Sequence, residues 1–146
     1  MRTETATTEE TVILTRPVGF THTFTVFPDD MNYAGSLFGG KILAEMDIAA
    51  ANAARKLLRG TDCEGAVTAS LDRVDFKKPA KLGDIIELQA NVVGLGRTSI
   101  VISVSVNKED LRTGVVEQIC DARFTFIALK DGKPHPHRRI LLSEHI

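Results

Sequence analysis

Five stretches of the chain alternate between apolar and polar residues. Between the first and the second of them, the apolar residues recur with the period of a helix. Alternation with a period of two is typical of a half-buried β-strand. The first strand pattern sets Phe20, Phe24 and Val26 against threonines, and the others cover residues 66–76, 86–92, 100–106 and 122–128. The helical pattern runs from about residue 40 to about residue 59, where Gly60 is a typical C-terminal signal.

This order of elements predicts an α+β fold. Consecutive strands without helices between them favour an antiparallel sheet, with the single helix packed on one of its faces. One helix leaves much of such a sheet uncovered, so we expect the chain to associate with itself. We further expect a flexible leader over residues 1–15, one domain over 16–133 and a C-terminal tail over 134–146.

The composition is that of an ordinary globular domain. The 146 residues are 43% hydrophobic and 25% charged, and the formal net charge is −1. A nucleic-acid-binding protein would need a strongly basic face, and a membrane span would need about 18 consecutive apolar residues, so neither class is expected. The acidic start MRTETATTEE is unlike a signal peptide, and two cysteines are too few for a disulfide framework. A cytoplasmic location is therefore predicted.

Asp47 is the most informative residue of the predicted helix. On a wheel of 100° per residue with Leu43 at zero, Met46, Ala50 and Ala54 fall within about 60° and Asp47 falls at about 40°, inside the apolar stripe. An unpartnered carboxylate in such a position would cost several kcal/mol. Asp47 is therefore either satisfied by a structural partner or lines a pocket.

The loop before the helix, GSLFGGK, begins like a phosphate-binding loop. It lacks the Ser or Thr that would hold magnesium, since Ile42 occupies that position, and no βαβ pattern surrounds it. A nucleotide site of that kind is excluded. Gly39 and Gly40 instead leave helix N-terminal N–H groups open to a ligand, an arrangement that suits a developing oxyanion.

Two polar side chains precede these glycines. Asn32 either caps a turn of the loop or reaches into the same cleft as Asp47. Ser36 is either the N-cap of the helix or a hydroxyl that lines the pocket.

Several motifs together resemble the hotdog-fold acyl-CoA thioesterases, specifically the YciA-like, ACOT-type group. The resemblance covers about residues 16–133, and its pieces occur in the family's order. They are FPDDMN at 27–32, GSLFGG at 35–40, Met46-Asp47, DFKKP at 75–79, Gly83-Asp84, GRTS at 96–99 and ARFTF at 122–126.

The resemblance implies a sheet wrapped around a central helix, paired into homodimers that often assemble into hexamers. It implies hydrolysis of acyl-CoA to a free acid and CoA, with Asp47 as general base or nucleophile. Gly39 or Gly40 matches the backbone donor to the thioester carbonyl, and Asn32 matches a side-chain amide near the attacking water. The helix of one subunit would face the Asn32 loop of its partner.

The chemistry is consistent with this residue set. A CoA thiolate is a tolerable leaving group, so one carboxylate and one oxyanion donor suffice, and we expect no metal and no further cofactor. The candidates to bind the CoA phosphates are Arg97 with Thr98 and Ser99, and a second basic pair formed by Lys77 and Lys78. Phe38 is a candidate to shape the acyl pocket.

Two other functions compete with hydrolysis. Hotdog dehydratases carry a histidine just before the Phe-Pro of the first loop, where this chain has Val26, and the fold's hydratases add a helix histidine where Ala51 and Asn52 stand. A catalytically idle module that only binds acyl-CoA is the other alternative, and a carboxylate at Asp47 favours chemistry over it.

Overall fold

The fold is an antiparallel sheet packed around one long helix, in a computed structural model that describes residues 11–141. The elements in chain order are β1 Val12–Leu14, β2 Gly19–Thr25, a short 3-10 turn Pro28–Asp30, α1 Gly39–Leu57, β3 Gly65–Phe76, β4 Ile85–Leu95, β5 Ser99–Glu109, β6 Val116–Lys130, β7 Lys133–Pro134 and β8 Arg139–Leu141. The main sheet has the order β2-β4-β5-β6-β3, and β7 pairs with β6. The α+β prediction is confirmed.

The core lies between α1 and the inward face of the sheet. Every second residue of the three central strands is buried, as the alternation predicts: Ile86, Leu88, Ala90 and Val92 on β4, Ile100, Ile102, Val104 and Val106 on β5, and Ala122, Phe124, Phe126 and Ala128 on β6. Burying each of the large aliphatic or aromatic side chains is worth about 1.5–3 kcal/mol. These strands therefore anchor the helix.

The buried face of α1 is rotated from the predicted stripe. Its members are Ile42, Met46, Ala49, Ala50, Ala53, Ala54 and Leu57, whereas Leu43 is half-buried. The predicted stripe members Met46, Ala50 and Ala54 are buried, and the buried face also takes in Ile42, Ala49 and Ala53 on the side away from Leu43. Asp47 consequently lies at the border of the buried face.

The two ends of the described chain pair with each other. Residues 12–14, within the predicted leader, form β1, and residues 139–141, within the predicted tail, form β8; the two strands are parallel. The leader residues 1–10 and the tail residues 142–146 lie outside the described residues. No helix in the described part of the chain is long and apolar enough to cross a membrane.

His137 fastens the segment before β8 to the turn between β4 and β5. Its side chain is 2% exposed. The ring Nε2–H donates to the Ser99 carbonyl at 3.0 Å, and Nδ1 accepts the Arg139 N–H at 3.1 Å. Burial lowers the pKa of His137, so the neutral ring is the form that stabilises the fold.

We expect His137→Gln to lower the free energy of unfolding by about 1–3 kcal/mol at neutral pH, the cost of disrupting buried hydrogen bonds. Because the pKa of His137 is lower in the folded than in the unfolded chain, its stabilisation is present above about pH 6.5 and is lost as the pH falls through the folded-state value. The deficit of the variant should therefore shrink on acidification. Urea unfolding of the wild type and the variant at one protein concentration, at about pH 7.5 and about pH 5, measures the difference in the free energy of unfolding. An equal deficit at both pH values would contradict this role.

Candidate active site

Asp47 lies where α1 meets the edge strand β3. Its Oδ1 accepts a hydrogen bond of 2.6 Å from the Thr68 hydroxyl, and Asp47 itself is half-buried. Among residues 11–141, Oδ2 has no hydrogen-bond or ion-pair partner in the protein. One oxygen of Asp47 therefore has a structural partner, and the role of Asp47 in a pocket stays a prediction.

The N-terminus of α1 presents unpaired backbone donors. The helix begins at Gly39, and its N-cap, Phe38, makes no side-chain capping bond. The N–H groups of Gly39 and Gly40 make no hydrogen bond among the described residues. A Cβ atom at Gly40 would collide with the Phe38 ring, and one at Gly39 would lie 3.5 Å from the ring of Phe76. Glycine at both positions therefore lets the two aromatic rings lie close to the start of the helix.

A cavity of about 300 Å³, the N-terminal cavity, opens beside these donors. Its lining is mainly apolar and comprises Ser36, Leu37, Gly39, Ile42, Phe76, Lys77, Lys78, Pro79 and Ala80. Ser36 lies in this lining, so the interpretation of Ser36 as the helix N-cap was wrong: the chain runs on in extended conformation to Phe38, which takes the cap position.

Lys77 and Lys78 border the same cavity, but both are paired within the chain. The Lys77 ammonium contacts Gln118 at 2.9 Å and Asp121 at 3.3 Å. The Lys78 ammonium lies 2.7 Å from Glu117 and holds the pKa of that carboxyl below its usual range. Their charge is therefore partly neutralised by the protein's own acids.

The Asn32 side chain organises its own loop. Its Oδ1 accepts the N–H groups of Ala34 at 2.9 Å and Ser36 at 3.1 Å, and its Nδ2 donates to the Ser36 hydroxyl at 3.1 Å. Asn32 thus acts as a turn cap, and it fixes the approach of the chain to the helix N-terminus.

The two halves of the site are far apart within one chain. Asp47 follows Gly39 by eight helical residues, which corresponds to about 12 Å along the axis. The sequence prediction placed these groups in one site, and within one chain they lie at separate positions along α1.

Arg97 occupies the other end of the molecule. It lies in the turn between β4 and β5 and lines a second cavity near the C-terminus of α1, together with Arg138 and Arg139. Thr98 and Ser99 do not line that cavity; their carbonyls accept the Ala128 N–H and the His137 ring N–H. The 19-residue helix separates this region from Lys77 and Lys78 by about 28 Å.

Sequence reasoning missed three features of the site. Thr68 and Phe76 belong to an alternating strand whose pattern does not show what its edge contacts. The two arginines of the tail follow a Pro-rich segment without periodicity, and β8 forms only through a long-range pairing. Among residues 11–141, no group of three or more His, Cys, Asp or Glu side chains is arranged to hold a metal ion.

A curled antiparallel sheet around one helix, with a carboxylate on that helix and free donors at its N-terminus, defines a class of proteins that act on thioesters. Residues 34–115 match the family model described as the thioesterase superfamily. The chain therefore belongs to the thioesterase superfamily.

Individual relatives agree with this membership. An uncharacterized acyl-CoA thioester hydrolase, YkhA, of Bacillus subtilis is 42% identical over 118 residues, which are 80% of this chain and 66% of that protein. The acyl-CoA thioester hydrolase YciA of Salmonella typhimurium is 32% identical over 113 residues, 75% of this chain and 82% of that protein. The chain thus spans just under two thirds of the length of the Bacillus protein.

The crystal structure of an apo-hexameric acyl-CoA thioesterase superposes with a TM-score of 0.78 at 38% identity, covering 87% of this chain and 79% of that one. The hotdog fold and the resemblance to the YciA-like group are confirmed.

Proposed function

We propose that this chain is the subunit of an acyl-CoA thioester hydrolase. The observation that carries the proposal is the Asp47 carboxylate, held through one oxygen by Thr68 at 2.6 Å with the other oxygen unpartnered among the described residues. The superfamily membership and the relatives named as acyl-CoA thioester hydrolases support the choice of substrate.

Hydrolysis breaks the thioester C–S bond and forms a C–O bond. As a general base, Asp47 takes a proton from water while the water oxygen attacks the carbonyl carbon, and CoA leaves as a thiolate that is then protonated. As a nucleophile, the carboxylate attacks first and water cleaves the resulting anhydride. Both routes place negative charge on the carbonyl oxygen.

The N–H groups of Gly39 and Gly40 supply the stabilisation of that charge. They lie at the positive end of the α1 dipole, and neither is used by the described protein. The apolar walls of the N-terminal cavity suit an acyl chain, and its polar lining residues are Ser36, Lys77 and Lys78. Neither route requires a metal or a further cofactor.

The active unit in this proposal is a homodimer that assembles further into a hexamer. The edge strand β3 is exposed on both faces over residues 67–73, and Val67 and Leu71 are 50% and 43% exposed. Ile48, on the outer side of α1, is 51% exposed. An unpaired edge beside apolar side chains favours pairing with a second copy, in which Asp47 faces the partner's helix N-terminus.

Cys63 and Cys120 are free, which supports the proposed cytoplasmic location.

Asp47→Asn should keep the fold and lower kcat for acyl-CoA hydrolysis by about 100-fold or more, the effect of losing a general base. A panel of acyl-CoA substrates with a thiol-detecting reagent measures the activity. Glu45→Gln is the matched control, because Glu45 lies on the same helix but pairs with His22 and Lys41. A folded Asp47→Asn protein with normal turnover would refute the proposal, and acyl-CoA binding by an inactive wild-type protein would favour the binding-module alternative.

Thr68→Val should lower kcat about tenfold with little change in KM, because in this proposal the hydroxyl positions the Asp47 carboxylate and does not itself bind the substrate. Thr68→Ser keeps a hydroxyl at the same place and should restore most of kcat. If the serine variant is as slow as the valine variant, the hydrogen bond is not what matters at this position.

Mixing inactive Asp47→Asn chains with inactive Asn32→Ala chains should restore activity, because one site of each mixed dimer regains both intact halves. With random exchange, half of the dimers are mixed, so about a quarter of wild-type activity is expected. Mass measurement of isotope-labelled chains first establishes the exchange. Complete exchange without rescue would place both residues in a site formed by one chain.

A further inference from the structure

The N-terminal cavity has a buried apolar side and an exposed rim. Leu37, Ile42 and Ala80 line it and are 5%, 5% and 1% exposed. The lining residues 76–79 are exposed to solvent and form the rim. A chain that enters past the rim therefore meets a wall of hydrocarbon on the far side. We call Leu37, Ile42 and Ala80 the cavity floor.

The cavity floor is held in place by its surroundings. The Leu37 N–H donates to the Ala80 carbonyl at 2.8 Å, and the carbonyl of the adjacent Pro79 accepts a hydrogen bond of 2.8 Å from the Lys108 ammonium. Ile42 lies on the buried face of α1. All three floor residues belong to the hydrophobic core, and a close-packed core yields little to an inserted group. The depth of the cavity is therefore fixed.

The chemistry of the cavity fits a plain hydrocarbon chain. The three floor side chains offer neither charge nor a hydrogen bond, so an ionised group at the end of an acyl chain would lose its water there without compensation. At the rim, Lys77 contacts Asp121 at 3.3 Å and Lys78 contacts Glu117 at 2.7 Å. An acyl group that ends in a carboxylate is therefore disfavoured.

The volume of the cavity limits the length of the chain. A methylene group occupies about 27 Å³ at the packing density of protein interiors, so a cavity of about 300 Å³ holds about eleven of them. The thioester carbonyl takes the part of this space beside the Gly39 N–H. An acyl group of about ten carbons thus fills the cavity, and a longer one leaves part of its chain in water.

We propose that the preferred substrates are acyl-CoA esters with hydrocarbon chains of about eight to ten carbons, and that Ala80 and Ile42 set this limit. The assignment rests on the proposed function. Ala80 has the smallest side chain of the floor, so a larger residue there shortens the cavity. Ile42 reaches the same space from α1, so a smaller residue there deepens it.

The dependence of kcat/KM on chain length tests the assignment. It is measured by thiol release from saturated acyl-CoA esters of about two to about sixteen carbons, and each methylene group that the cavity buries should raise kcat/KM about fourfold. The increase should stop at about ten carbons. A wild-type optimum outside about six to about twelve carbons would overturn the assignment.

Variants of the floor should move the optimum in opposite directions. Ala80→Val adds two carbon atoms, so the preference for a ten-carbon over a six-carbon substrate should fall about tenfold or more. Ile42→Ala removes three carbon atoms and should lengthen the optimum by about three carbons, and the milder Ile42→Val by about one. Ala128→Val is the matched control, because Ala128 is fully buried outside the cavity lining and its variant should keep the wild-type profile.

An optimum that stays in place in the folded variants of Ala80 and Ile42 would show that the floor does not set the limit. The Ile42→Val variant decides the question if Ala80→Val does not fold. An eight-carbon acyl-CoA that ends in a carboxylate should react at least about 100-fold more slowly than octanoyl-CoA. Equal rates for the two would refute the apolar assignment.

Binding of the same acyl-CoA series to the Asp47→Asn protein, measured by titration calorimetry, separates this inference from the proposed function. Affinity should rise with chain length up to the same limit and respond to Ala80→Val, since binding requires no turnover. If that pattern is found while the wild type hydrolyses no acyl-CoA, the hydrolase alone is refuted. Rapid hydrolysis with a profile that neither floor residue changes would refute the floor alone.

Discussion

The close contact between the alanine-rich face of α1 and the inward side of the sheet determines where every functional group lies. Four alanines on that face, together with Met46, Ile42 and Leu57, pack on strands whose inward residues are fully buried. Small side chains leave little freedom to rotate or slide the helix without creating cavities. The position of Asp47 on the flank of the helix, within reach of Thr68, is a direct result of this packing.

The helix also sets distances between functional groups. Its N-terminus presents the glycine donors and its middle carries the carboxylate. Its C-terminus lies near the second cavity, which Arg97, Arg138 and Arg139 line. A rigid rod of this length cannot bring its own N-terminal donors to its own carboxylate. The proposed dimer follows from this geometry, because the N-terminal donors of a second chain can approach a carboxylate that its own donors cannot reach.

Much of the fold followed from periodicity, because strict alternation and a capped helical pattern reflect burial directly. The bounds of α1 and the inward residues of β4, β5 and β6 were correct. The buried face of α1 is wider than the predicted stripe, because Ala49 and Ala53 also pack against the sheet. Turn capping by Asn32 was one of two predicted readings, and only the loop geometry shows the capping bonds. The ion pairs of Lys77 and Lys78 involve residues distant in sequence, which periodicity does not report. The union of Arg97 with Arg138 and Arg139 requires the pairing of the chain's two ends, for which the residues concerned carry no local signal.

That pairing has a consequence for the order in which the molecule forms. The contact of Val12 with Arg139 closes a loop of about 130 residues, and the entropy of such a closure is recovered only after the intervening sheet has folded. With three residues in each strand, β1 and β8 form a small unit that opens at lower free energy than the central strands. The cavity lined by Arg97, Arg138 and Arg139 is therefore completed only when the two ends of the described chain have paired. Amide hydrogens of β1 and β8 should accordingly exchange faster than those of β4, β5 and β6.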